Sequence, residues 1–169
     1  MVWVKRGGLG CGGLIALFVL FVLSGFLLPR ELQLSTQREV SLGPDAVFAK
    51  VSSPAGVQAW WAPIADKAVQ DGYPRMDVVP LDAQQVAFEA GGYRMETWTL
   101  KQAEPTEVVW DVDFGMLVVE RTLVIEPSGA GSKLTWTETA DVGNPLLRWM
   151  ARVSDPTPNF QDAMAGLEL

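Results

Sequence analysis

Hydrophobic and polar residues alternate along most of the chain from residue 31 onward. Seven segments carry a two-residue period, which is typical of β-strands with one buried face: 31–40, 75–81, 84–90, 93–101, 106–114, 117–126 and 132–141. Turn residues such as Gly91-Gly92 and Ser128-Gly129 separate several of them. Because the last six follow one another through short connections, the pattern predicts antiparallel hairpins.

Apolar spacing of the helical type occurs in two regions. Pro44 and Pro54 each stand at the start of a short predicted helix, and the second of these is predicted to stop at Pro63. From Pro145 onward, helical spacing predicts a long C-terminal helix in two pieces, interrupted at Pro156 and Pro158, that share one apolar face. The predicted fold class is therefore α+β, with a curved antiparallel sheet around the long C-terminal helix. The helix stripe is narrower than the concave face, so an apolar cavity is expected between them.

The N-terminal segment has a different character. Residues 7–28 form a run of 22 residues without a charge, which as a helix would span about 33 Å, close to one hydrocarbon core. The bulky sequence SGFLLPREL at 24–32 lacks the small-x-small pattern of a signal-peptide cleavage site. We therefore expect two parts: an uncleaved N-terminal transmembrane anchor over 1–29 and a domain over 30–169.

Charges beside this segment predict its orientation. Lys5 and Arg6 precede the run, so the positive-inside rule places the N-terminus in the cytoplasm. The expected location is the bacterial inner membrane, with a single pass and the domain on the periplasmic face. Gly8 and Gly12 are four residues apart, which suits a contact face for another membrane protein. The same glycines also suit a loosened helix start near the lipid headgroups.

Composition excludes several classes of function. Without Lys5 and Arg6, the remaining chain has 11 basic and 20 acidic residues, a net charge of −9, which disfavours nucleic acid as a partner. The chain has one cysteine and no histidine, so no metal site and no cofactor is expected. The missing imidazole also removes the commonest general base.

Several stretches of the chain resemble a known family. They are GPDAVFAKVSSPAGVQAWW, the EPTE turn at 104–107, GSKLTWTETADVGNPLLRWM and PNFQDAMAGLEL. Together they resemble the START-like (SRPBCC, polyketide cyclase/dehydratase-type) helix-grip domains, in particular small membrane-anchored bacterial members. The resemblance implies a pocket for a lipophilic ligand between helix and sheet. It supplies no catalytic motif that can be matched residue by residue.

Aromatic residues are the main candidates for the cavity wall. Trp60 and Trp61 are adjacent, so on a helix they point about 100° apart. We expect one indole in the core, and the other either over the cavity or at a membrane surface. An arrangement in which both close the end of the core stays open. The best candidates for cavity lining on the strands are Trp110 and Trp136, with Phe114 beside them, and Met150 joins them from the helix.

Glu138 is the candidate polar residue of this cavity. It shares strand parity with Trp136, so in a regular strand its carboxylate faces inward as an acid or a polar anchor. The alternative is a frayed strand end with a solvated Glu138. Glu120 raises the same question on the preceding strand.

Three functions follow from these observations. The leading one is a membrane-tethered binding module for a hydrophobic small molecule such as a lipid, quinone or polyketide. The alternative is an accessory or assembly subunit of a larger membrane complex, docked through the N-terminal helix. The third is a cyclase or dehydratase, which would need a polar group such as Glu138 deep in the cavity.

Overall fold

The computed structural model describes residues 4–153 and 157–168, with the side chains of the first helix described from residue 12 onward. Its α-helices are α1 (Val4–Ser24), α2 (Pro44–Val51), α3 (Pro54–Gln70), α4 (Pro145–Val153) and α5 (Thr157–Ala165). Its strands are β1 (Glu31–Val40), β2 (Met76–Pro80), β3 (Gln85–Ala90), β4 (Tyr93–Glu104), β5 (Glu107–Asp113), β6 (Val118–Ser128) and β7 (Gly131–Asp141). Single 3₁₀ turns, Gly25–Leu27 and Gly166–Glu168, follow α1 and α5.

The strands form one curved seven-stranded sheet in the order β1-β7-β6-β5-β4-β3-β2. From β2 to β7, each strand pairs with the next in antiparallel register, as the short connections predict. Two register shifts, opposite the Phe88–Glu89 step and after Leu100, each skip one residue of β4, Met95 and Lys101, an irregularity of the type that bends a strand and increases its twist. All seven predicted strands are confirmed.

The chain divides into two compact units, residues 1–32 with 141–155 and residues 33–140 with 156–169. The first, which we call the N-terminal unit, contains α1 and α4. The second, the sheet unit, contains α2, α3, α5 and nearly all of the sheet.

Arg148 holds the N-terminal unit together. Its side chain is buried and donates hydrogen bonds to five backbone carbonyl oxygens, those of Gly25, Phe26, Leu28, Val142 and Gly143, at 2.7 to 3.4 Å. Carbonyls left free after a helix end need such partners, and their dipoles favour a cation.

The indole of Trp149 adds a second contact within this unit. It stacks on Phe21 with 5.2 Å between ring centroids and donates to the Phe21 carbonyl at 3.2 Å. In α1, Gly12 is exposed and its surroundings are open, whereas the surroundings of Gly8 lie outside the described residues. In the described part of the chain, no helix combines the length and the apolarity needed to cross a membrane.

Two helix predictions are wrong. The second short helix does not stop at Pro63, because α3 continues to Gln70 with that proline inside it. Proline removes one helical hydrogen bond, and the burial of Ala65 and the packing of Ile64 against the core offset this cost.

The two predicted C-terminal pieces are α4 and α5, of nine residues each, but the prediction that they share one apolar face is wrong, because they belong to different units. The predicted stripe on α4 is largely exposed, with Met150 59% and Val153 79% accessible. The side chain that α4 buries is that of Arg148, because the carbonyls around it need its donors.

The core of the sheet unit lies on the concave side of the sheet, under α2, α3 and α5. Its fully buried large side chains include Val47, Val57, Trp60, Phe88, Trp98, Val108, Val112, Leu134, Met164 and Leu167. The Trp60 indole donates to the Ala163 carbonyl at 3.0 Å, and Lys50 Nζ donates to the Leu167 carbonyl at 2.5 Å. These two bonds fasten the end of the chain onto α2 and α3.

Candidate functional site

A pocket of about 500 Å³ opens in the sheet unit between α3, α5 and the concave face of the sheet. Eight of its lining residues are apolar: Trp61, Ile64, Met76, Trp98, Phe114, Trp136, Phe160 and Ala163. Five are polar or charged: Glu96, Arg121, Glu138, Asn159 and Asp162. Its volume and its mainly aromatic wall match those of sites that bind small molecules.

The interior next to this pocket is filled. Only about 10 Å³ remains among Val51, Trp60, Trp110, Leu123 and their neighbours, roughly the room of one water molecule. The Trp110 indole closes this region by donating to the Val51 carbonyl at 3.1 Å. The cavity that the sequence predicts therefore lies at one end of the concave face.

The two adjacent tryptophans of α3 separate as their helical spacing predicts. Trp60 is 2% exposed and sits in the core. Trp61 is half-buried, lines the pocket and meets Phe88 and Trp98 edge to face, with ring centroids 5.1 and 6.5 Å apart. The side chain of Trp61 thus forms part of the pocket wall.

Arg121 and Glu138 form an ion pair at the base of the pocket. They occupy directly opposed positions on β6 and β7, so the register of the hairpin brings their side chains together. Arg121 Nε donates to Glu138 Oε1 at 2.6 Å, and Nη2 lies 2.5 Å from the same oxygen. The side chains are only 9% and 11% exposed. Glu138 therefore faces inward, and the alternative of a solvated strand end is wrong.

Two indoles cover the Arg121 guanidinium. Its central carbon lies 4.2 Å from the centroid of Trp98 and 5.0 Å from that of Trp136, distances typical of cation–π contacts. The Trp136 ring stacks on the Phe160 ring of α5, with 5.6 Å between the ring centroids. The ion pair at the base of the pocket and the aromatic rings of its wall therefore pack against one another.

Glu96 is a third charged group of the pocket and lies on β4 two residues before Trp98. Burial raises the pKa of its carboxyl, and the Glu138 charge adds to this shift. The Arg121 guanidinium acts in the opposite direction, as does the Trp98 N–H, which lies near the carboxyl without a hydrogen bond of normal geometry. A carboxyl in such a setting is poised to interact with a ligand.

The other predicted residues are distributed as follows. Phe114, Trp136 and Glu138 line the pocket together with Trp61. Trp60 and Trp110 are in the filled core beside it, and Met150 lies in the N-terminal unit. For Glu120, whose direction the sequence left open, the carboxylate is exposed and pairs with Lys101 at 2.7 Å.

Sequence reasoning missed Glu96 and Arg121, although both follow from strand parity. Glu96 shares parity with Trp98, and Arg121 shares parity with Leu123 and Ile125 of β6. In each case a charged residue at an apolar position of the alternation marks an inward-facing polar group. The pairing of β6 with β7, which sets Arg121 opposite Glu138, cannot be read from either strand alone.

Comparisons with known proteins identify the family. A family model described as polyketide cyclase / dehydrase and lipid transport matches residues 31–168. No curated protein matches the sequence significantly. Because the model spans most of the chain, the chain belongs to the polyketide cyclase/dehydrase and lipid transport family.

Solved structures of the same fold share little sequence with the chain. Protein Ms6760 from Mycobacterium smegmatis is 13% identical with a TM-score of 0.59, covering 81% of this chain and 88% of its own. A protein from Arthrobacter aurescens is 15% identical with a TM-score of 0.59, covering 81% and 84%. Norcoclaurine synthase from Thalictrum flavum is 10% identical with a TM-score of 0.58, covering 82% and 85%. These similarities establish the fold.

Proposed function

We propose that this member of the polyketide cyclase/dehydrase and lipid transport family binds one hydrophobic small molecule in the pocket between α3, α5 and the sheet. The observation that carries the proposal is the open volume of about 500 Å³ beside a core that is otherwise filled. Membership of the family supports a hydrophobic ligand, and a lipid, quinone or polyketide-like molecule fits this class.

The pocket wall explains how such a ligand would be held. Trp61, Phe114 and Phe160 offer flat apolar surfaces, and burial of a ligand's apolar area against them contributes about 25 cal/mol per Å² before the entropic cost of binding. The ion pair of Arg121 and Glu138 gives the base of the pocket a polar end. The preferred ligand therefore has a mainly apolar body and a polar group.

We also propose that the N-terminal segment holds this binding module at a bilayer, the bacterial inner membrane, with the domain on the periplasmic face. Support comes from the exposed apolar side chains along α1, among them Leu14, Phe18 and Leu20, which water disfavours. Gly8 and Gly12 remain a proposed contact for another membrane protein. Carbonate washing of cell membranes tests the tether: the full chain should stay in the pellet, and release into the supernatant would contradict it.

Ligand binding is tested with N-phenyl-1-naphthylamine, a neutral apolar dye whose fluorescence rises in a dry site. The full chain is placed in lipid nanodiscs and titrated, and a variant blocked at the pocket mouth, Asn159→Trp, is titrated in identical nanodiscs. Asn159 is exposed on α5 and lines the pocket, so a bulky ring there covers the opening without disturbing the core.

We expect a saturable signal in the unaltered chain and its loss in Asn159→Trp. The matched control is Glu104→Trp, which places the same ring on an exposed strand position outside the pocket lining. This control should bind the dye like the unaltered chain. Equal signals from all three proteins would show that the dye senses only lipid and would reject the pocket as a binding site.

A further inference from the structure

The charged groups of the pocket do not balance. Its charged lining residues are one base, Arg121, and three acids, Glu96, Glu138 and Asp162. They come from four different elements, β4, β6, β7 and α5, so the fold itself brings the excess of acids to one site. The excess bears directly on which ligands the site accepts.

Arg121 is already engaged by one of these acids. Its Nε and Nη2 both contact Glu138 Oε1, and indole rings cover it at 4.2 and 5.0 Å. In that setting the guanidinium is neutralised and shielded, and it offers little attraction to an incoming anion. The ion pair as a whole contributes no net charge to the pocket.

The other two acids differ in their surroundings. Asp162 is exposed at the rim, where its charge acts on Lys67. Glu96 is half-buried, and within residues 4–153 and 157–168 it makes no salt bridge of its own. An ionised carboxyl that leaves water without a salt-bridge partner is costly, and the Arg121 charge offsets only part of that cost, so Glu96 is the least compensated acid of the interior.

We propose that the ligand of this pocket carries a cationic nitrogen, an amine or a quaternary ammonium, which binds beside Glu96 against the aromatic wall. The inference rests on the proposed function and specifies its ligand class. Aromatic faces attract cations, and Trp61, Phe114 and Phe160 supply rings that do not cover Arg121. An anionic ligand would instead meet Glu96 and the Arg121–Glu138 pair with no free counter-charge.

The titration of Glu96 provides a second readout. Burial raises the pKa of this carboxyl, and a fixed positive charge beside it would lower the pKa again. The charged groups that face it in the pocket are Arg121 from β6, Glu138 from β7 and Asp162 from α5. Affinity for a permanent cation should therefore rise as the pH increases above the ordinary carboxyl range, whereas affinity for a neutral ligand should stay level.

The test is displacement of N-phenyl-1-naphthylamine from the full chain in nanodiscs by three matched compounds. They are 4-phenylbutyl-trimethylammonium, 4-phenylbutanol and 5-phenylpentanoate, which share the phenylbutyl group and differ in charge. We expect the ammonium compound to bind about tenfold or more tightly than the alcohol, and the carboxylate to bind most weakly. Glu96→Gln should bring the ammonium compound down to the affinity of the alcohol.

The control is Glu104→Gln, which removes the same charge from an exposed position of the same strand and should change nothing. Equal or better binding of the alcohol or the carboxylate overturns the inference, as does an unchanged preference in folded Glu96→Gln. Should that variant fail to fold, the pH dependence in the unaltered chain decides: a flat profile for the ammonium compound overturns the inference. If the dye itself shows no saturable site, the proposed function fails, and that outcome is distinct from a wrong ligand charge.

Discussion

The ion pair at the base of the pocket allows a quantitative test of its energetics. Replacing Arg121 by methionine keeps much of its apolar length but leaves the Glu138 carboxyl without its partner. Both partners are about nine-tenths buried, so the remaining carboxylate has little access to water. Breaking a buried pair by removal of one partner costs about 3–5 kcal/mol. The loss of the contacts with Trp98 and Trp136, at 4.2 and 5.0 Å, adds to this cost.

Urea unfolding of the nanodisc-held protein, followed by tryptophan fluorescence, measures this cost. With a slope of about 2 kcal/mol per molar urea, Arg121→Met should lower the midpoint by about 1.5–2.5 M. The double variant Arg121→Met with Glu138→Met should recover most of the loss, because no charge then stays buried. A matched surface variant, Lys101→Met, breaks the exposed pairs with Glu120 and Asp111 and should cost less than about 1 kcal/mol.

The stabilities of these variants show whether Arg121 and Glu138 act as a buried ion pair. If the double variant is as unstable as the sum of the two single variants, the two side chains do not act as a pair. If Arg121→Met lowers the free energy of unfolding no more than Lys101→Met does, the guanidinium is solvated. That result would contradict a buried ion pair at the base of the pocket.

Three further predictions follow from other contacts. A Cβ at Gly56 would lie 2.6 Å from the Ala49 carbonyl oxygen, so Gly56→Ala should destabilise by about 1–3 kcal/mol in the same assay, and Gly43→Ala, with open surroundings, should not. Hydrogen bonds from the Ser41 N–H and hydroxyl lower the pKa of Glu168. The stability they contribute is therefore present above about pH 4.5, the ordinary carboxyl value, and is lost as the pH falls through the lowered pKa. Glu168→Gln should remove this acid dependence. Glu96 has the opposite sign: its pKa is raised, so stability falls as the pH rises from 4.5 through the folded value, and Glu96→Gln should abolish that fall.

Local patterns predicted the sheet well, because its strands alternate and their connections are short. The alternation placed Trp136 of β7 and Trp110 of β5 on the inward face, and both are buried, as are Leu134, Val108 and Val112 at the same parity. Parity also carried the information on Glu138, but a solvated strand end stayed open because its partner was unknown. A buried acid becomes tolerable only when a base is brought to it, and that depends on the pairing of β6 with β7.

The helices were harder to predict because long-range contacts decide where they end and what they face. Pro63 would end an isolated helix, yet packing of the following turn against the core keeps α3 continuous. Spacing alone made Met150 a lining residue of the cavity. Hydrogen bonds of Arg148 to carbonyls more than 100 residues earlier in the chain determine instead which side of α4 is buried.

The most direct test of the central claim is native mass spectrometry of the full chain released from its own membranes, followed by identification of whatever dissociates from it. We predict one apolar small molecule per chain on the unaltered protein and none on Asn159→Trp, whose pocket mouth is covered. A bare chain that also takes up no apolar compound, or the same adduct on the blocked variant, would contradict a ligand site between α3, α5 and the sheet.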